Sequence, residues 1–172
     1  MNSRAISMCM PVLTIAIAGA NAIAGTPATE IPSVPFSATG DTTGGSNSIN
    51  FVPDFCSQRM TVDGPEAVYF FTPHAGASLT FTVTPLNATF DPAIYVTFAP
   101  AAGDACLWGS DANGPGEAET FPVSDRLTPE TIHYFYVDSF FDAATAPANA
   151  QGPFQLDVGG NLPVELIRFE VE

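Results

Sequence analysis

Alternation of apolar and polar residues with a period of two is the strongest signal along this chain. In "GPEAVYFFTPHAGASLTFTV" (Gly64 to Val83) it runs on both sides of a Gly-containing break. That pattern predicts two adjacent core strands, Glu66 to Thr72 and Ser78 to Thr84, joined as a hairpin by "PHAGA" with His74 in the turn. In the second strand Leu79, Phe81 and Val83 take one face and threonines the other. "AIYVTF" (Ala93 to Phe98) repeats the theme, with Ile94, Val96 and Phe98 directed to one buried face.

The same reading places a short strand at Phe36 to Thr39 and others at Ala105 to Gly109, Ala118 to Val123, Thr131 to Val137, Pro153 to Val158 and Val164 to Val171. Gly, Pro, Asn and Asp clusters separate them, and the 16 prolines and 14 glycines supply the many turns such a chain needs. Beyond the N-terminal segment, no window of ten residues keeps a helical period without Pro or Gly. The expectation is an all-β sandwich of about eight antiparallel strands. "GTPATEIPSVP" (Gly25 to Pro35) holds three prolines and reads as an extended leader without ladder potential, a tether ahead of a domain spanning 36–172.

Residues 1–24 change the picture of where the protein works. Arg4 precedes an apolar run from Ile6 to Ala18, and Ala20-Asn21-Ala22 and Ala22-Ile23-Ala24 are small-x-small cleavage patterns, so the segment reads as a secretory signal peptide. The apolar run falls short of the roughly 20 residues a bilayer span needs. The remaining chain keeps Arg59, Arg126 and Arg168 and no lysine against all 18 acidic residues of the sequence. Such a surface repels nucleic acid and anionic membranes and suits solubility in salty surroundings.

Cys9 lies in the signal segment, which leaves Cys56 and Cys106. An even pair in an exported chain reads as one disulfide. Two metal-ligand thiolates are the rival reading, and they lack a third or fourth soft ligand nearby.

Candidate chemistry is sparse. His74 and His133 have no nucleophile partner in sequence, and no metalloprotease, phosphate-loop or nucleophile-elbow motif is present. Glu117 and Glu119 are two residues apart on one strand face, a spacing open to paired carboxylates, but in a chain this acidic such a pair is more often a solvated face. "SDANGPGE" (Ser110 to Glu117) puts the hard oxygen donors Asp111, Asn113 and Glu117 on a Gly-rich loop, and Asp138 is expected at the same end of the sandwich. That set makes calcium the one cofactor candidate. In "HYFYVDSFF" (His133 to Phe141), outward-pointing rings of Tyr134, Tyr136 and Phe141 are candidates for stacking on a sugar. Trp108 is expected beside the Cys106 bridge.

The order of these pieces resembles the bacterial pre-peptidase C-terminal domain. The resemblance rests on "FSATGDTTGGSNSI", "GPEAVYFFT", "GASLTFTVTP", "FDPAIYVTF", the cysteine before "LWGSDANG", and "ETIHYFYVDSF" followed by "GPFQLDV", covering about Phe36 to Val158. It implies a jelly-roll-like sandwich, usually appended to exported enzymes and aiding secretion, targeting or substrate binding, sometimes with calcium. Cys56 and Cys106 then resemble the pair of the disulfide-containing members, and Asp111 and Asp138 fall where members carry acids after a strand. No peptidase precedes the domain here, so it reads as a stand-alone copy. The expected function is a secreted or periplasmic, non-catalytic binding module with an extracellular carbohydrate or protein partner. A surface-structural or secretion-accessory protein without a discrete ligand is the alternative, and a hydrolase is the third class.

Overall fold

Runs of β-branched and aromatic residues between Gly, Pro and Asp breaks form strands, and the computed structural model, which describes residues 27–53, 56, 60–100 and 106–162, contains eleven of them. In chain order they are β1 (Thr29–Glu30), β2 (Phe36–Asp41), β3 (Phe51–Val52), β4 (Met60–Thr61), β5 (Ala67–Phe71), β6 (Ser78–Pro85), β7 (Pro92–Thr97), β8 (Cys106–Ser110), β9 (Glu119–Val123), β10 (His133–Ser139) and β11 (Pro153–Asn161). A single helical turn, α1 (Pro147–Ala150), precedes β11. The eight longer strands are those that the alternation predicts within the described residues. The strand expected at Val164 to Val171 and the signal peptide lie outside them.

Four antiparallel pairs are nested one inside the next: β2 with β11, β5 with β10, β6 with β9, and β7 with β8. Rolling such a ribbon gives two sheets, ordered β1-β5-β10-β7-β8 and β2-β11-β6-β9. This nesting is the jelly roll. The hairpin expected over Gly64 to Val83 is therefore corrected. β5 and β6 belong to opposite sheets, and the "PHAGA" segment arches between them. Alternation reports which side chains are buried, and β6 does bury one face while β5 is covered on both; it carries no information on which strand is the hydrogen-bonded neighbour.

Phe71, Leu79, Phe81, Val83, Ile94, Val96, Phe121, Phe135, Phe154 and Leu156 fill the space between the sheets. Phe81 and Phe135 stack with ring centroids 4.4 Å apart. A second core covers the outer face of the five-stranded sheet, where Ile49, Val52, Cys56, Met60 and Val62 pack on Val68, Ala93, Tyr95, Tyr134 and Tyr136. Strands β7 and β10 are consequently buried along their whole length. Each large apolar side chain removed from water in this way contributes roughly 1.5–3 kcal/mol. Cys56 and Cys106 are bridged inside the second core, as expected.

Two smaller expectations are also corrected. The leader is not a free tether: Thr29–Glu30 pairs in parallel with Tyr69 and Phe70 of β5, and Ile31 is buried in the inter-sheet core. Ile31 is the one large apolar residue of the leader, and its burial holds the segment despite three flanking prolines. Phe98 lies past the end of β7 and is exposed rather than inward.

Candidate functional site

The strand directions bring the connections after β2, β6, β8 and β10, and the entry into β5, to one end of the sandwich. Most described carboxylates gather there, among them Asp41, Asp63, Glu66, Asp91, Asp111, Glu117, Glu119, Asp138 and Asp142. Arg126, the one described lysine or arginine, sits at the other end, 5.1 Å over the Trp108 ring and donating to the Leu107 carbonyl. The Trp108 ring thus partners Arg126 and the inter-sheet core, while its carbonyl stays beside the bridge, 3.5 Å from Cys106 Sγ.

Three of the acids are buried and fully bonded, two of them to loop amides and the third between strands. Glu66 accepts the Ser48 and Ile49 amides on Oε1, at 2.6 and 2.7 Å, and the Ser48 hydroxyl on Oε2 at 2.7 Å. Glu119 accepts the Ala112 and Asn113 amides on Oε1, at 2.9 and 2.5 Å, and the Ser110 hydroxyl on Oε2 at 2.6 Å. Asp138 accepts the Tyr95 hydroxyl and the Ser139 amide. Burial pushes the Glu66 carboxyl up from the usual carboxylate range in spite of its donors, and raises Asp138 well above it. Further bonds sew the loops to one another. Thr42 donates its amide to the Gly152 carbonyl and accepts the Gly152 amide on its hydroxyl, and Asn149 bonds both Asp91 and Thr89.

Asp91 differs from the other three. It is buried, and its Oδ1 has no hydrogen-bond partner among the described residues. Burial, and then the neighbouring Glu119, raise its pKa. Asp111 is pushed up to about 6 by burial, then by Asp91 and Glu119. Sequence reasoning singled out neither Asp91 nor Glu66, because a lone acid beside a strand looks the same whether it turns inward or outward.

The calcium set expected from sequence is not assembled. Asp111, Asn113 and Glu117 share the β8–β9 loop, but the Asn113 amide group donates to the Ala118 carbonyl, and Glu117 is exposed. Asp138 belongs to the second core, where its charged neighbours are Glu66 and Asp63. Among the described residues, no three His, Cys, Asp or Glu side chains converge as metal ligands. The Glu117 and Glu119 pair is also split, one exposed and one buried.

The aromatic expectation is corrected for two of its three rings. Tyr134 and Tyr136 lie in the second core, and Tyr136 stacks on Tyr95 at 5.0 Å. The cause is the cover supplied by Ile49, Val52, Met60 and Val62, apolar residues scattered through a stretch that reads as loop. Phe141 is partly exposed and meets the exposed Phe140 edge-on at 5.4 Å.

The histidines are structural. Nδ1 of His74 lies 2.6 Å from Glu130, an exposed pair tying the β5–β6 arch to the β9–β10 loop. His133 is buried against Phe71; its Nε2 accepts the Thr128 amide, its Nδ1 donates to the Thr131 carbonyl, and burial lowers its pKa.

On the open side of the sandwich, β1, the end of β2 with the turn after it, and the start of β5 border a groove of about 330 Å³. Threonine hydroxyls, glycine backbone, Asp41 and the Tyr69 phenol line it. The sequence reading took "GDTTGG" only as a loop, and the groove exists because β1 docks on β5.

No protein-family profile matches the chain, and no curated protein matches it. Solved structures of similar chain path include the pre-peptidase C-terminal domain of a collagenase from Bacillus anthracis, 15% identical, with 76% of this chain and 93% of that one covered and a TM-score of 0.45. CorA of Methylomicrobium album, a surface-associated copper-binding protein, is 10% identical over 79% of this chain and 100% of its own, with a TM-score of 0.46. PliG of Aeromonas hydrophila, a periplasmic inhibitor of g-type lysozyme, is 19% identical over 79% and 99%, with a TM-score of 0.41. At these identities none of them assigns a ligand to this chain, although the first is of the family that the sequence resembles.

Proposed function

We propose that this chain is an exported, non-catalytic binding module that recognises an extracellular carbohydrate or protein through the loop-bearing end of the jelly roll. The observation that carries this reading is the use made of the buried acids. Glu66 and Glu119 spend their oxygens on loop amides and on the Ser48 and Ser110 hydroxyls, which fixes the loops after β2 and β8, while Asp138 ties Tyr95 of β7 to β10 beneath them. A recognition surface needs such preorganisation, because loops held in place before binding lose less conformational freedom on binding. The buried Cys56–Cys106 bridge suits an oxidising compartment, in keeping with a signal peptide at residues 1–24.

The test is co-sedimentation of the oxidised protein with insoluble cellulose, chitin and peptidoglycan, together with capture of proteins from the cell envelope and culture medium. Saturable retention on one of these, with no soluble product released from it, supports the reading. Retention on none of them argues for a surface-structural role, and release of sugars or peptides argues for a hydrolase.

A further inference from the structure

We propose that the groove between β1, the end of β2 and the start of β5 is a binding site for a small, uncharged, polyhydroxylated ring such as a monosaccharide unit. This rests on the reading of the chain as a binding module and names the site and ligand class within it.

Tyr69 makes the first argument. Its ring is packed between Phe36, Phe135 and Phe154, and only 5% of the residue is exposed, but its hydroxyl is not one of the buried polar atoms left without a partner, which among the described residues is Asp91 Oδ1 alone. A phenol with a buried ring and a polar tip at a groove can offer that tip to a ligand. Here the hydroxyl lies against Gly40, where an added Cβ would be 2.7 Å from it, and both residues line the groove. Burial raises the Tyr69 pKa, so the group stays a donor.

The rest of the lining complements it. Thr29, Thr39 and Thr43 bring hydroxyls, which both donate and accept. Asp41 spends Oδ1 on the Thr43 amide at 2.8 Å and leaves Oδ2 without a bond among the described residues. Gly40 and Gly45 admit no side chain, since a Cβ at the first would strike the Phe154 ring and at the second would lie 2.5 Å from the Glu66 carbonyl. Gly44 has a φ of +76° and opens onto free space. Gly40 and Gly45 thus let the groove wall pack on Phe154 and Glu66, and a ring can approach the backbone closely at Gly44. The volume of about 330 Å³ is at the small end of ligand pockets.

Charge selects the class. Asp41 and Glu66 line the groove and no cation does, so phosphates and carboxylates are repelled. Glu66 is already saturated by Ser48 and Ile49, and no metal-ligating trio forms among the described residues, which disfavours a bare cation.

The experiment is an amide NMR titration of the oxidised protein with glucose, mannose, galactose and N-acetylglucosamine, and separately with calcium chloride. The expected result is saturable shifts at Gly40, Gly44 and Gly45 with at least one sugar, at a dissociation constant on the order of 1 mM. Tyr69→Phe keeps the ring packing and should weaken that binding about tenfold, as should the surface change Asp41→Asn. The proposal is overturned if no sugar moves these amides up to about 50 mM, or if calcium alone moves them. Sugar-induced shifts confined to another face, unchanged in Tyr69→Phe, also overturn it while leaving the binding-module reading intact.

Discussion

The Tyr95 hydroxyl donates a 2.8 Å hydrogen bond to Asp138 beneath the second core, and neither residue has any solvent exposure. Burial raises both pKa values well above their ordinary positions, so the phenol remains a donor. Asp138→Ala leaves that hydroxyl and the Ser139 amide without a partner and should cost about 1–3 kcal/mol. Asp138→Asn keeps a polar group in the same space and should cost less. Chemical denaturation of the two variants checks the order, and equal losses would show that volume alone matters there.

The Cys56–Cys106 bridge closes a sequence separation of 50 residues and ties the cover of the second core to β8. Replacing both cysteines by alanine should lower stability by about 2–4 kcal/mol. For a chain of this size that is a fall in Tm of roughly 4–16 °C. A calorimetric scan showing an unchanged Tm would mean that packing alone holds the cover.

Asp111 supplies a pH signature. Its folded pKa of about 6 lies above the reference value of 3.8, so its contribution to stability is fully present below about pH 4 and is lost as the pH rises through 6. Asp111→Asn should therefore be more stable than the parent at pH 7.5 and indistinguishable from it near pH 3.5. The gain is about 1 kcal/mol, less than the shift implies in full, because the side chain is only partly buried and solvent screens it. His133 acts in the opposite sense: its lowered pKa favours the fold above 6.5, and that support is lost as the pH falls. Comparing variant and parent at each pH cancels the histidine. A gain that does not fade on acidification would remove the electrostatic explanation.

Glu119 holds the β8–β9 loop by its amides. Glu119→Ala should speed hydrogen exchange at Ala112 and Asn113 by about tenfold or more, because two bonds of about 1 kcal/mol each are lost. Glu119→Gln retains an acceptor oxygen and should restore most of the protection. Exchange unaltered in the alanine variant would mean that the loop is held by other contacts.

Strand positions were legible in the sequence because burial of one sheet face imposes a period of two, as in Leu79, Phe81 and Val83. Pairing was not legible. β5 and β6 look like a hairpin, yet β5 pairs with β1 and β10, and β6 with β9 and β11, all more than 35 residues away. The jelly roll came through the family resemblance instead. The second core was hidden because Ile49, Val52, Met60 and Val62 stand singly among polar residues, and that concealment is why Tyr134 and Tyr136 looked free to meet a ligand. Asp111 and Asp138 lie at the same end of the sandwich but do not meet, because Asp138 turns to Tyr95 in the second core, and position along a strand does not fix which face a side chain takes when both faces are covered. Tyr69, Asp41 and Gly40 drew no notice as a group, because only the docking of Thr29–Glu30 on β5 closes the groove around them.

Retention on an extracellular matrix, measured for the parent and for Glu66→Ala and Glu119→Ala, tests the central claim most directly. If loops fixed by buried acids carry recognition, the parent binds saturably to one polysaccharide or envelope protein, and each variant, still folded by circular dichroism, binds roughly tenfold or more weakly. Equal retention of parent and variants would contradict the account, because binding would then not depend on the pinned loops.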